Sequence, residues 1–233
     1  MTPVATSEGG WLALVATPIG NLEDTTFRAV RTLKEADCIA AEDTRRAGKL
    51  CAHFAIDTPR TAYHAHNEHR RTDGLLHRVE NGEKIAVLSD AGTPAVSDPG
   101  FLIVREALKR GIEPVIVPGV SALTFAVVAA GLPVDQFHFA GFLHQKSGKR
   151  RTALEGMART GGTWFLFESP HRVVRLLGEI VDIVGEETQV ALIREATKLH
   201  EECLRGPAGE LAETCADRSF RGEFVVAFRV GKM

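Results

Sequence analysis

Short runs of apolar, β-branched residues alternate along this chain with segments whose apolar positions recur at helical spacing. Trp11–Thr17 reads as a strand that exits into a Pro/Gly/Asn turn. Asp24 and Thr25 then stand where they can cap a helix carrying Phe27, Val30 and Leu33 on one face. Cys38–Ala41 reads as a second strand and Thr44–Phe54 as a second helix. A polar helix over Asn67–Glu80 is stopped by Asn81-Gly82, followed by the strand Lys84–Leu88. A long loop runs to Gly100, a helix to Arg110, and a strand covers Pro114–Val117. This alternation predicts an α/β domain with a largely parallel sheet.

Beyond that point the pattern continues less regularly. Ser121–Ala130 reads as an Ala-rich helix, Gln136–Ala140 as a short strand, Ser147–Arg159 as a helix and Thr163–Phe167 as a buried strand. Pro170–Val184 reads as a helix with Ser169 as its cap and Pro170 in its first turn, and Gln189–Arg194 and Glu223–Val230 complete the strands. The Pro118-Gly119 break divides the chain into an N-terminal α/β domain, 1–118, and a C-terminal α/β domain, 119–233. With no long linker, the two are expected to enclose a cleft.

Composition narrows the class of protein. The 233 residues are 44% apolar and 25% charged, which excludes a disordered chain, a collagen-like fibre and a disulfide-dense miniprotein. Lys and Arg number 28 against 30 Asp and Glu, a net charge of -2, so any nucleic acid must be held by a local patch rather than the whole surface. Lys146, Lys149, Arg150 and Arg151 form the densest basic run. Cys38, Cys51, Cys203 and Cys215 are far apart and suggest neither a disulfide framework nor a zinc site, which suits a reducing cytoplasm. His64, His66 and His69 lie close together, His64 and His66 on one face if the segment is extended, but without the companions a metal site needs. No secretory signal is read at the N-terminus, and Val115–Val134, the most apolar stretch, is broken by Pro118, Gly119, Gly131 and Pro133. A soluble, cytoplasmic protein is expected.

Three loops rich in small residues each follow an expected strand, where open α/β sheets place their ligands. They are Thr17–Asn21, Ser89–Pro94 continuing to Gly100, and Pro118–Ala122. Neither G-x-x-x-x-G-K-[ST] nor G-x-G-x-x-G after the first strand is present, which argues against an ATPase and a usual dinucleotide enzyme. The loops carry carboxylates and no lysine, chemistry suited to a ligand with a positive centre and polar ends.

The segments ATPIGNLEDTT from Ala16, AAEDTR at Ala40–Arg45, LSDAGTPAVSDPG at Leu88–Gly100, PGVSA at Pro118–Ala122, FESPHR at Phe167–Arg172 and REATK at Arg194–Lys198 occur in this order. Together they resemble the tetrapyrrole methylase superfamily, the class III S-adenosylmethionine-dependent methyltransferases. Within it they are similar to the branch that 2′-O-methylates a cytidine of 16S rRNA. The resemblance runs from about Leu12 to Arg221–Phe224. It implies two α/β domains with the cofactor in their cleft, a homodimer, and a substrate in the decoding region of the 30S subunit. It also implies cofactor contacts at Pro18, at Asp90, Ala91, Gly92 and Thr93, at Val96, at Ser121 and Ala122, and at Glu168.

Methyl transfer to a ribose hydroxyl needs a base or a cationic neighbour near the acceptor oxygen. The residues offered for this are Lys198, Glu195, Arg194, Asp43 and Arg45, with Glu42 beside them. Glu42-Asp43 read alone are better explained as caps of the following helix than as catalytic groups. Lys146, Lys149, Arg150, Arg151, His171 and Arg172 are offered for RNA phosphates. Two rival readings stay open: methylation of a tetrapyrrole carbon, and a non-catalytic nucleotide-binding module of ribosome assembly.

Overall fold

A computed structural model describes residues 9–231. The chain divides into two compact units, one ending at Ser121 and one beginning at Ala122.

The first unit contains β1 (Trp11–Val15), α1 (Phe27–Glu35), β2 (Cys38–Ala41), α2 (Thr44–His53), β3 (Arg60–Ala62), α3 (Glu68–Glu80), β4 (Lys84–Leu88), α4 (Phe101–Lys109) and β5 (Val115–Val117). The strands form one five-stranded parallel sheet in the order β3-β2-β4-β1-β5. Both faces are covered, which is why β1, β2 and β4 read as nearly unbroken apolar runs. Alternate side chains separate the faces. Ala13, Val15, Ile39, Ala41, Ala86 and Leu88 meet α1 and α2, whereas Leu12, Leu14, Cys38, Ala40, Ile85 and Val87 meet α3 and α4. Each buried leucine or isoleucine there contributes about 1.5–3 kcal/mol.

That division of helices positions the site. The chain leaves β1 and β2 toward one face and leaves β4, which lies between them, toward the other. Neighbouring exits therefore diverge, and a crevice opens at the carboxyl ends of the strands.

Three local expectations change here. The cap of α1 is Thr26, whose hydroxyl accepts the Ala29 N–H at 3.0 Å, while Asp24 closes a short 3-10 turn capped by Asn21. Phe27 is 97% exposed and lies outside the core that Leu33 joins. His64 and His66 follow β3 in a turn rather than alternating on a strand.

The second unit contains α5 (Ala122–Ala129), β6 (Phe137–Phe142), α6 (Ser147–Thr160), β7 (Gly162–Glu168), α7 (Val173–Ile183), β8 (Gln189–Arg194), β9 (Glu202–Pro207), α8 (Ala208–Cys215) and β10 (Phe224–Val230). Its sheet, ordered β6-β7-β10-β8-β9, is mixed: only β6 and β7 are parallel, and β10 runs antiparallel to both β7 and β8. Helices α6, α7 and α8 cover one face through Leu154, Met157, Leu176, Leu177, Ile180 and Leu211. The small face of α5, centred on Ala126, lies on Phe165, Ala191, Ile193, Val225 and Ala227. Helix α7 starts at Val173, later than the sequence suggests, because Ser169–Arg172 forms a turn in which the Ser169 carbonyl accepts the Arg172 and Val173 amides.

Arg150, expected at an RNA surface, is 1% exposed. Its guanidinium grips Glu179 through Nε at 2.5 Å and Nη2 at 2.7 Å, and Nη1 donates to the Gln145 carbonyl at 3.0 Å. It ties α6 to α7 and cannot touch a phosphate. The helical period carries the explanation: Arg150 falls four residues before Leu154, on the face of α6 that enters the core.

Among the described residues no helix is long and apolar enough to cross a membrane.

Candidate active site

Because every strand of the first unit is parallel, all five exits lie along one edge. Three of them carry the loops singled out above. Thr17 and Gly92 exchange both backbone hydrogen bonds, at 2.8 and 3.0 Å, which binds the loop after β1 to the loop after β4. The Thr17 hydroxyl adds a longer bond to the Ser89 carbonyl, 3.4 Å. Gly92 makes this bridge at φ +75°, a conformation L side chains rarely hold. The loop after β5 is pressed onto the same place, since a Cβ at Gly119 would stand 2.9 Å from the Ala16 Cβ. Pro18, Asp90–Thr93 and Pro118–Ser121 are thus drawn together in one unit. Val96 follows in the same loop between Ala95 (φ +71°) and Ser97 (φ +62°), two non-glycine residues at positive φ, a form of strain that concentrates at functional sites.

Between the first loop, α2 and the second loop lies a cavity of about 160 Å³, lined by Thr17, Pro18, Arg46, Lys49, Ser89 and Asp90 among others. The amides of Ala91 and Thr93 donate to no acceptor among the described residues, and open backbone donors of this kind suit a polar ligand.

The exits of β2 and β4 are latched by charge. The Asp43 amide donates to Asp90 Oδ1 at 2.8 Å, and the Asp90 amide returns a bond to Glu42 Oε2 at 3.2 Å. Arg46 stands 3.4 Å from Asp90 Oδ2. Asp43 caps α2 by accepting the Arg45 amide at 2.8 Å, and the Arg45 guanidinium holds its carboxyl down at about 2. Asp43 and Arg45 therefore satisfy each other and neither offers a proton acceptor near neutrality. Glu42 is different: burial pushes its carboxyl above the ordinary value, Asp90's charge adds to this, and the Asp90 amide, Arg46 and His64 only partly oppose it.

In the second unit, Lys198 Nζ bonds Glu195 Oε1 at 2.8 Å and Glu223 Oε2 at 2.9 Å. Burial favours neutral lysine, but the two carboxylates outweigh it and hold the ammonium above its usual range. Glu195 shifts the opposite way: burial raises it, and Lys198 and the Glu223 amide bring it below the ordinary carboxylate value. Lys198 is a cation there and not a base. Gly222, at φ +92°, leaves the space that the Glu195 carboxylate fills; any Cβ would collide with it. Arg194 is matched by Glu202 at 3.1 Å, and Arg218 meets the same carboxylate at 2.8 Å.

Glu168 is 2% exposed and its Oε1 takes the Ser169 amide at 2.7 Å and Arg172 Nη2 at 2.6 Å. Its Oε2 is buried with no partner among the described residues. Arg172 is thereby committed to an internal ion pair, whereas His171, Lys146 and Lys149 are exposed and Arg151 pairs with Asp182 at 2.9 Å. The sequence reading missed Lys49, which lines the cavity, and the proximity of His64 to Glu42, which depends on β3 lying beside β2.

Known proteins resemble this chain closely. The sequence family of tetrapyrrole (corrin/porphyrin) methylases matches residues 12–212. A protein of Halalkalibacterium halodurans named ribosomal RNA small subunit methyltransferase I is 47% identical over 92% of this chain and 74% of its own length. A protein of the same name from Thermotoga maritima is 42% identical, covering 93% of this chain and 97% of its own. Among solved structures, uroporphyrin-III C-methyltransferase of Thermus thermophilus complexed with S-adenyl homocysteine superposes with a TM-score of 0.67 at 21% identity, over 94% of this chain and 97% of that one. At that identity the likeness is one of fold.

Proposed function

The chain belongs to the tetrapyrrole methylase family, and from that premise we propose that it is an S-adenosylmethionine-dependent methyltransferase acting on the 2′-hydroxyl of a cytidine in the decoding region of 16S rRNA. The observation that carries the reading is its 47% identity, over 92% of its length, to a relative named for small-subunit rRNA methylation. The substrate is then 16S rRNA within the 30S subunit, the enzyme is cytoplasmic, and it works as a homodimer.

The residues fit the cofactor. Open amides at Ala91 and Thr93, the left-handed Gly92 and the carboxylate of Asp90 offer polar ends and a negative charge to a ligand that carries a sulfonium. Pro18, Asp90–Thr93, Val96, Ser121 and Ala122 would hold it. Glu168 fits this role least, being committed to Ser169 and Arg172 through one oxygen. When bound, S-adenosylmethionine supplies an electrophilic methyl whose carbon–sulfur electron pair returns to sulfur. The chain's share is to orient the hydroxyl, exclude water and take its proton. Lys198, fixed as a cation between Glu195 and Glu223, would act on the RNA by charge and not as a base. Exposed Lys146, Lys149 and His171 would meet phosphate.

The test is transfer of radiolabelled methyl from S-adenosylmethionine to purified 30S subunits, with a porphyrinogen offered in parallel. Label in 16S rRNA alone is expected. Label in the porphyrinogen alone would replace this reading with tetrapyrrole methylation, and cofactor binding without product would replace it with a non-catalytic module.

A further inference from the structure

The strand order β3-β2-β4 sets three exits side by side and brings His64, Glu42 and Asp90 to one stretch of the edge, where Asp90 lines the cavity. Glu42 differs from every other carboxylate considered for the chemistry. Among the described residues its one hydrogen bond comes from the Asp90 amide, at 3.2 Å, and it forms no ion pair. Asp43 is paired with Arg45, Glu195 with Lys198, and Glu168 with Arg172 on one oxygen, while Asp90 holds the Asp43 amide and lies 3.4 Å from Arg46.

His64 supplies a second, independent sign. The Asn67 amide is oriented by two backbone bonds: its Oδ1 accepts the His64 N–H at 2.9 Å and its Nδ2 donates to the Ala62 carbonyl at 3.2 Å. Nδ2 is then the group facing His64 Nε2 at 3.1 Å, so Nε2 accepts. The proton of the neutral ring therefore sits on Nδ1, which is buried and has no partner among the described residues. A buried N–H left open costs stability unless a ligand or water fills the position.

We propose that Glu42 is the proton acceptor for the ribose hydroxyl and that His64, through its open Nδ1–H, is a positioning residue that holds a substrate oxygen beside it. The proposal rests on the methyltransferase reading above. As the hydroxyl oxygen gives its electron pair to the incoming methyl carbon, its proton passes to a Glu42 carboxylate oxygen. Asp90 keeps Glu42 in place through the backbone and makes it more basic through its charge. Arg46 of α2 and His64 of the β3 exit moderate that effect. A carboxyl displaced upward in this way is better matched to accepting a proton near neutral pH than one held down by an ion pair.

The experiment uses the full chain, with the carboxyl carbons of glutamate labelled for NMR and with 30S subunits as substrate. Glu42→Gln is expected to lower kcat at least about 100-fold, the range of a positioned acid–base group, with affinity for S-adenosylmethionine and for 30S unchanged. In the free protein, the Glu42 signal is expected to titrate above an ordinary glutamate. It should move further up in His64→Gln, which removes an imidazole that lowers it, and His64→Gln should also raise KM for 30S. Retained activity in Glu42→Gln, or an ordinary titration unmoved by His64→Gln, overturns the proposal. A wild-type protein inactive on 30S subunits would instead refute the functional reading itself, before any variant is compared.

Discussion

At the exits of β2 and β4, Glu42 and Asp90 hold backbone amides and a single contact of 3.4 Å to Arg46. At the ends of β8, β9 and β10, by contrast, Lys198 sits between Glu195 and Glu223, and Glu202 takes both Arg194 and Arg218. Deeper in the second unit, Arg150 and Glu179 close on each other almost without solvent, 1% and 6% exposed. The two units thus spend similar residue types differently. Matched pairs hold the mixed sheet and its helices in place, while the parallel edge leaves carboxylates, an imidazole N–H and loop amides unmatched where its exits diverge. Charge that is already satisfied builds structure, and charge left short of partners is what a substrate can meet.

The most severe way to break the contrast is to unmatch a buried pair. Arg150→Ala strands Glu179 in the core and is expected to cost about 3–5 kcal/mol in urea unfolding, whereas Arg150→Met with Glu179→Leu recovers most of that loss. An effect below 1 kcal/mol for the single variant would mean that Glu179 finds another partner. Next comes Gly92→Ala, which forces a side chain into a left-handed position at a cost of about 1–2 kcal/mol. It should also weaken S-adenosylmethionine binding by calorimetry, a loss that Arg150→Ala does not reproduce in protein still folded.

Acid should separate the units as well. Glu179, Glu195 and Glu202 all lie below the ordinary carboxylate value in the folded chain, Glu202 chiefly through Arg218 and the other two because their ion pairs and hydrogen bonds outweigh burial. A carboxyl depressed by folding contributes stability above its unfolded pKa and loses it as pH falls through the folded one. The second unit should therefore lose stability steadily below about pH 4, near the unfolded glutamate value. Glu42, displaced upward, contributes in the opposite sense: its share is present at low pH and is lost as pH rises through its folded value. Thermal midpoints against pH, with Glu42→Gln beside the wild type, measure both signs. The smallest effect belongs to Lys149→Ala. On an exposed face it should shift stability by less than about 0.5 kcal/mol. If it meets an RNA phosphate, the salt dependence of 30S binding should fall by about one unit of slope.

Much of this architecture was legible in the sequence where burial imposes a pattern. The strands β2, β4 and β8 stand where their apolar runs place them, and Asn81 with the left-handed Gly82 ends α3 as the Asn-Gly pair predicts. What escaped the pattern was structure fixed by neighbours. β3 has three residues, none buried, and is a strand because β2 pairs with it. β9 is an edge strand of intermediate burial beside β8, and α8 is an eight-residue helix with no side-chain cap, so neither carries a periodic signal. The second sheet departs from the parallel expectation for the same reason: alternation of strands and helices does not reveal that β10 returns between β7 and β8.

For the site, the three loops were readable as small residues after strands, but their union depends on the Thr17–Gly92 bridge and the packing of Gly119 on Ala16. Charge runs misled where a helix face was not resolved, since Arg150 lies within the same run as the exposed Lys149. His64 drew notice for its histidine neighbours, whereas its environment is set by Asn67 and by the strand order.

The central claim is that the joined exits of the parallel sheet bind the methyl donor. It is tested most directly by following backbone amide resonances of the labelled protein as S-adenosylmethionine is added to saturation. The account predicts that the signals of Ala91, Gly92 and Thr93 move in a saturable way while those around Arg150 and Glu179 stay in place. Saturable binding that leaves those three amides unmoved would contradict it.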